Sequence, residues 1–365
     1  IAGHADYPMP CTEDNDHGTQ VGGVIAARDG NGIGVSGVAP RAGLVGFNAL
    51  ANSLTEDALD ALVRDINRNH VYNNSWGPTD NGHLATPEPD WSSYNDTLRN
   101  GLKTGRNGLG AIYVFSGGNG AIQTDYSSLD GGVSAMGIVT VCATNAAGKR
   151  APYSERGPNL TVCAPSADLS KVLGIPGAPT LPDVSTTALQ NQYTDSFNGT
   201  SAATPMVSGV VALMLQANPN LTWRDVPLVL ARSARQVDPT NAGWTSYGGY
   251  HYNHEYGFGV ADATAAVQLA RSWQSVGGSS TLRQCGPYSA TVNQAIPETT
   301  PVSDAVLENP FADASGLSKA AVNGVTSRIS AAGCGIQHIE HVEVVLTATD
   351  DTGARAHPSA GDLQI

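Results

Sequence analysis

Mostly apolar runs of four to six residues recur along the first half of the chain, at 44–47, 70–74, 111–115, 138–143 and 160–164. They are short for helices, lack strict alternation, and are bounded by Gly, Pro or polar turns. They therefore read as parallel strands buried on both faces. Helical patterns cover 21–27, 56–67, 94–103, 201–216 and 261–273. Strands alternating with helices predict an α/β fold with a doubly wound parallel sheet, whose ligands gather at the carboxyl ends of the strands. Asn119 and the stretch Ser75-Trp76-Gly77 each follow a predicted strand, where that rule places a site.

After Trp273 the pattern changes. Gly, Ser, Pro and Thr crowd 275–303, and alternation returns at Val342, Val344 and Leu346, which reads as antiparallel strand. Two domains are expected, an α/β domain at 1–273 and a β-rich region at 274–365.

Three segments carry candidate chemistry. Asn198-Gly199-Thr200-Ser201 runs into the long apolar helix, placing a hydroxyl at the positive end of a helix dipole. Alone this could be an ordinary helix start, because Ser and Thr are common caps. His17-Gly18-Thr19 opens a second helix, and Ser116-Gly117-Gly118-Asn119-Gly120 follows a strand. Together they supply a base, a nucleophile and an amide donor. A neutral hydroxyl attacks well only when a hydrogen-bonded base takes its proton, and the oxyanion that forms needs a donor aimed at it.

In this order the three motifs resemble the subtilisin-like serine proteases, over most of residues 11–273. The resemblance implies that Ser201 is the nucleophile and that His17 takes its proton and returns it to the leaving amine. It implies that the Asn119 amide, with the Ser201 backbone N–H, binds the oxyanion. The family's Asp lies roughly thirty residues ahead of the His, whereas only sixteen residues precede His17. Asp6, Asp14 and Asp16 do not follow an apolar strand, and the last two lie too near the His. The chain is therefore expected to be truncated, to lack a triad Asp and to be nearly inactive, since losing that carboxylate costs about 10⁴-fold in turnover.

Further likeness is to the kexin- and furin-like branch. Ile339-Glu340-His341-Val342-Glu343-Val344 and Gly361-Asp362-Leu363 resemble its β-sandwich P domain, although Ala360 stands where an Arg is usual. An incomplete P domain with an open sheet edge is expected at 274–365. The branch implies that Asp80 and Asp130 line an S1 pocket for Arg or Lys at P1, and that Asp14 contacts a basic P2. The substrate would pair as a strand with Ser75, Trp76 and Gly77. Asp80, Asp125 and Glu155 would hold Ca²⁺, a cation suited to oxygen ligands. A second Ca²⁺ loop would use the Asn31 side chain and the carbonyls of Arg28, Ile33 and Val35. The same loop also reads as a Gly-rich turn with Asn31 at positive φ. Thr86 replaces the branch's acid for a P4 Arg, with Asp60 as a nearby substitute, so a dibasic preference is expected.

A net charge of −13 and the lack of Lys/Arg runs argue against nucleic acid. The acidity suits a basic peptide substrate or Ca²⁺, and equally plain solubility. Abundant Gly, few aromatics and few charges fit a secreted, cell-surface or periplasmic enzyme, with a cleaved propeptide as a further partner. No apolar run approaches membrane-spanning length and no signal peptide is visible at Ile1. Of five cysteines, Cys142 and Cys163 lie in apolar runs and read as buried free thiols. Cys285 and Cys334 are candidates for a pair, and Cys11 is left over. No CxxC spacing suggests zinc, and the pairs His251/His254 and His338/His341 read as structural. Competing functions are a subtilase of broad specificity and a non-catalytic, peptide-binding relative.

Overall fold

The computed structural model describes residues 16–49, 55–80, 91–123, 125–170, 173, 181–292, 329–331, 333–336, 339–342 and 344. Cys11, Asp14, Thr86, His338 and Leu346 lie outside them. Four strands, β1 (Val71–Asn74), β2 (Ile112–Ser116), β3 (Ile138–Thr144) and β4 (Leu160–Pro165), form one parallel sheet in the order β1-β2-β3-β4. Every residue of β2 is buried, as a strand covered on both faces requires.

Among the described residues six α-helices are seen: α1 (His17–Ala26), α2 (Thr55–Val63), α3 (Ser92–Thr104), α4 (Thr200–Ala217), α5 (Asp225–Ser233) and α6 (Ala263–Ser272). The α4 helix is apolar on nearly every face because it crosses all four strands and also packs on α1 and α6. Its length and mean hydropathy of 1.3 meet the composition of a short membrane span, contrary to expectation, but 67% of it is buried inside the molecule. It is a core helix. The described residues also hold two antiparallel ribbons, β5 (Val184–Thr187) with β6 (Tyr193–Phe197) and β7 (Thr245–Tyr247) with β8 (Tyr250–Tyr252).

Three expectations need correction or narrowing. Residues 44–47 form no strand; Leu44 and Val45 are exposed, and no described strand pairs with them or with the outer edge of β1. An apolar run becomes a strand only where a neighbour completes its hydrogen-bond ladder. Cys142 and Cys163 are not free thiols but a disulfide. They are direct partners in the β3–β4 register, both fully buried, so burial and pairing coincide. Cys285 and Cys334 are bonded to each other, as anticipated. Beyond residue 273 the described residues contain a short 3₁₀ turn, Ser279–Thr281, and no strand.

That last region is nonetheless tied down. Asp225 accepts from the backbone N–H of Val276 (2.9 Å), the hydroxyl of Ser275 (2.6 Å) and the indole of Trp273 (2.9 Å). Its neighbour Arg224 donates to Glu340 through Nε at 2.8 Å and through Nη2 at 2.5 Å.

Candidate active site

His17 is the first residue of α1, and Asp16 stands at the cap position. Two hydroxyls hold this turn: Thr186 Oγ1 donates to the Gln20 carbonyl (2.6 Å) and Thr187 Oγ1 to that of Thr19 (2.8 Å). Both come from β5, which packs so closely that Gly23 has no space for a Cβ. Across the ribbon, Phe197 at the end of β6 meets the His17 ring edge-on, with centroids 5.6 Å apart. Burial lowers the His17 pKa below its ordinary value, partly offset by the negative charge of Asp16. The positive end of α1 acts in the same direction as burial.

Ser201 lies in the first turn of α4, behind Gly199, whose φ of 77° favours glycine. Its hydroxyl donates to the Ser75 carbonyl at 3.3 Å rather than to His17. A reason for the Ser75 contact lies four residues on. Pro205 has no N–H, so the Ser201 carbonyl loses its helical donor. The Ser75 hydroxyl replaces it at 3.1 Å. Asn73 donates to Ser75 Oγ (3.1 Å), and Ser208, from the next turn of α4, donates to Asn73 Oδ1 (2.8 Å). A chain of polar groups thus runs from α4 through the end of β1 and back to α4.

Asn119 follows β2. Its Oδ1 accepts from the Thr200 N–H (2.8 Å) and the Thr200 hydroxyl (3.0 Å), which fixes the carboxamide with its NH₂ free to serve another acceptor. His17, Ser201 and Asn119, far apart in sequence, line one cavity of about 500 Å³ together with Asp16, Tyr153, Leu169 and Phe197. Among the described residues no carboxylate is hydrogen-bonded to the His17 imidazole, and Asp16 acts on it only through its charge.

The acids form a separate group. Asp80, Asp125 and Glu155 bring carboxylate oxygens within 4.8 Å of one another. Asn119 N–H donates to Asp80 (3.1 Å) and Gly120 N–H to Glu155 (3.0 Å). A Cβ at Gly118 would run into Glu155, and one at Gly120 into Asp125, so bare backbone is needed here. Burial first, and then the charges of Asp80, Asp125 and Asp130, push the Glu155 pKa up to about 9, against the Gly120 hydrogen bond. Glu155 is buried, Asp125 half-buried and Asp80 exposed, and three converging carboxylates with oxygen donors fit a hard cation. Asp130 accepts from Gly132 N–H at 2.7 Å, and its other oxygen lies 3.9 Å from where a Gly77 Cβ would stand. It therefore faces the Ser75-Trp76-Gly77 stretch.

Other candidates behave differently. Asn31 spends its side-chain oxygen on the Ile33 N–H (3.1 Å), within a loop whose positive-φ positions are Gly30, Gly32 and Gly34 rather than Asn31. Arg28 and Val35 lie in the same loop, and Ile33 is largely exposed. Asp60 of α2 is paired with Arg64, just past the end of that helix. His251 and His254 pack on Trp244 and Tyr252. Sequence reasoning missed Phe197, Tyr153 and the Asn73–Ser75–Ser208 chain; Pro205 inside an apolar helix was the one signal for the last.

The sequence matches the profile of the Subtilase family over residues 2–259. It is 36% identical over 296 residues to the "PC3-like endoprotease variant B" of Hydra vulgaris, covering 80% of this chain and 40% of that protein. The "Dibasic-processing endoprotease" of Schizosaccharomyces pombe is 36% identical over 274 residues, covering 74% of this chain and 36% of the relative. Human "Proprotein convertase subtilisin/kexin type 5" is 32% identical over 374 residues, covering 98% and 18% respectively. The chain thus spans less than half the length of these relatives. Among solved structures, a serine protease of Aeromonas sobria superposes with a TM-score of 0.67 at 28% identity, covering 81% of this chain and 60% of that one. With its profile match across most of the α/β body and its kexin-like relatives, the chain belongs to the subtilase family.

Proposed function

We propose that the chain carries the nucleophile, base and oxyanion donor of a serine endopeptidase that cleaves after basic residues. The observation that supports this best is the meeting of His17, Ser201 and Asn119 around one cavity. In the reaction, Ser201 Oγ turns from the Ser75 carbonyl and attacks the scissile carbonyl carbon while its proton passes to His17. The Asn119 NH₂ and the Ser201 N–H receive the oxyanion. As the C–N bond breaks, His17 returns the proton to the leaving amine. Water then repeats the sequence on the acyl-enzyme. A carboxylate bonded to the imidazole would hold its tautomer; with none among the described residues, turnover by this chain is expected to be low.

Asp130 and Asp80, on the side of Ser201 reached through Ser75, Trp76 and Gly77, suit an Arg or Lys at P1. The name of the Schizosaccharomyces pombe relative, a dibasic-processing enzyme, agrees with that reading. Asp80, Asp125 and Glu155 would hold a Ca²⁺ whose charge neutralises the cluster and stiffens the loops behind S1; it supplies no chemical step. Two disulfides favour an oxidising compartment, secreted or in the secretory pathway.

The test is an active-site-directed fluorophosphonate probe on the chain, followed by peptides matched except for Arg, Lys or Leu at P1. Labelling is expected to vanish in Ser201→Ala and Arg preference to collapse in Asp130→Ala. Labelling that survives Ser201→Ala sinks the catalytic reading, and equal handling of Arg and Leu sinks the specificity.

A further inference from the structure

One residue of the catalytic cavity holds a backbone conformation that leucine disfavours. Leu169, in the loop after β4, has a φ of 54°, in the left-handed region where the Cβ of an L-residue crowds the following carbonyl. Its neighbours keep it there. The Ala167 carbonyl accepts from the Tyr153 hydroxyl at 2.8 Å. The buried Asp168 carboxylate accepts from Asn145 Nδ2 (2.5 Å) through one oxygen and from the Ser170 N–H (3.0 Å) through the other. The Leu169 carbonyl accepts from the Leu173 N–H at 2.9 Å. Strain that the surroundings over-determine in this way gathers at sites that grip a ligand. Leu169 is half-buried and lines the cavity that holds His17 and Ser201, together with Phe197 and Tyr153. The polar lining residues Ser196 and Asn198 are exposed, whereas Phe197 and Tyr153 are buried, so the depth of the cavity is largely apolar.

We propose that Leu169 is a specificity-determining residue for the substrate residue just after the scissile bond, P1′, and that with Phe197 it favours an apolar side chain there. The inference rests on the endopeptidase reading above and deepens it. The position along the peptide follows from the proton transfer. The residue before the scissile bond goes toward Asp130 and the Ser75-Trp76-Gly77 stretch, and this cavity is lined by other residues. His17 must reach the leaving nitrogen. The residue that owns this nitrogen therefore stands beside the imidazole, where Phe197 meets it edge-on. An apolar P1′ side chain set against Leu169 and Phe197 removes apolar surface from water on both partners. An amide of the same size, placed there, would give up hydrogen bonds to water without gaining partners from these two side chains.

The experiment uses the full chain and reads protection of Ser201 from the fluorophosphonate probe, which needs no turnover. Peptides that share Arg at P1 and differ only in Leu, Asn or Gly at P1′ are compared with one that ends at the Arg. Each is titrated on the wild type, Leu169→Asn and Leu169→Gly. Asn and Gly accept the left-handed backbone, so both variants keep the loop while removing its apolar face. The wild type is expected to bind the Leu peptide about five-fold or more tighter than the Asn peptide. Both variants should bring that ratio within about two-fold, and should leave the peptide that ends at Arg within about two-fold of wild type. Equal binding of the Leu and Asn peptides by the wild type overturns the role given to Leu169. So does a preference that survives in both variants, a uniform loss across all four peptides, or unfolding of both variants, which would make the residue a packing element alone. Failure of every peptide to protect Ser201 in the wild type, the one ending in Arg included, overturns the endopeptidase reading instead, and the two failures are thus told apart.

Discussion

Two single-residue effects at the catalytic corner can be separated by experiment. The first is the Ser75 hydroxyl, which stands in for the N–H that Pro205 lacks. Ser75→Ala leaves a carbonyl in the first turn of α4 without its donor and breaks the chain to Asn73 and Ser208. A loss of about 1–2 kcal/mol of stability is expected, together with slower fluorophosphonate labelling of Ser201. Ser75→Thr keeps the hydroxyl and should restore both; failure of that rescue would show that bulk, and not the hydrogen bond, matters. The second effect is the His17 pKa, lowered first by burial and raised in part by Asp16. The neutral, base-competent imidazole therefore persists below the ordinary value of about 6.5. For stability the sign follows from proton counting. Between the lowered folded pKa and the unfolded one, the unfolded chain binds more protons, so this contribution is complete above the unfolded value and is lost as pH falls through the folded one. An NMR titration of the imidazole should give a midpoint below that of a free histidine, and Asp16→Asn should lower it further. A midpoint at or above the free value removes the burial argument.

At the scale of elements, the site is a matter of how two helix starts are clamped. The α1 turn is bound to β5 by Thr186 and Thr187, and Gly23 permits the close approach. Gly23→Ala must push β5 away, at a cost of roughly 1–3 kcal/mol for overpacking. Because β6 carries Phe197 onto His17, labelling of Ser201 should fall along with the thermal midpoint; a normal midpoint and normal labelling would mean that the ribbon yields freely. The sequence made the sheet and long helices readable because runs such as 111–115 and 201–216 have a single dominant period. It did not reveal β5 and β6, whose residues Val-Ser-Thr-Thr and Tyr-Thr-Asp-Ser-Phe are short and polar, and whose pairing is fixed by α1. Residues 44–47 show the reverse error, since apolar character alone cannot supply a ladder partner. The β7–β8 hairpin was legible in principle, for Gly248-Gly249 between aromatic residues is a tight-turn signal. The acid cluster belongs at this scale as well. If Asp80, Asp125 and Glu155 hold Ca²⁺, millimolar Ca²⁺ should raise the thermal midpoint of the wild type. Glu155→Gln should abolish that response without lowering the metal-free midpoint, because it removes a buried carboxylate crowded by like charges. A Ca²⁺ response that survives the substitution excludes this trio.

For the whole molecule, the question is what joins the α/β body to the region beyond Trp273. Position 340 was read from sequence as part of a β-rich segment; the structure gives it a different significance. Glu340 meets Arg224, whose side chain is 9% exposed, and Arg224 also donates to the Thr281 hydroxyl at 2.7 Å. Asp225, beside it, gathers the chain from Trp273 to Val276. The disulfide between Cys285 and Cys334 brings the two C-terminal segments to each other, so that Glu340 is presented six residues after a covalent anchor. In this two-bonded ion pair Arg224 is the buried member and Glu340 the exposed one, so removing the carboxylate strands a buried guanidinium. Arg224 keeps the Thr281 hydroxyl and nearby carbonyls, which limits the damage. Glu340→Gln is therefore expected to cost about 1 kcal/mol, and the loss should shrink with added salt because the Glu340 end of the pair is exposed. Breaking the Cys285–Cys334 bridge by Cys334→Ser should make the Glu340→Gln effect small, since an untethered segment contributes little through its ion pair. Equal losses from Glu340→Gln with and without the bridge would mean that the Arg224 contact holds the C-terminal region by itself.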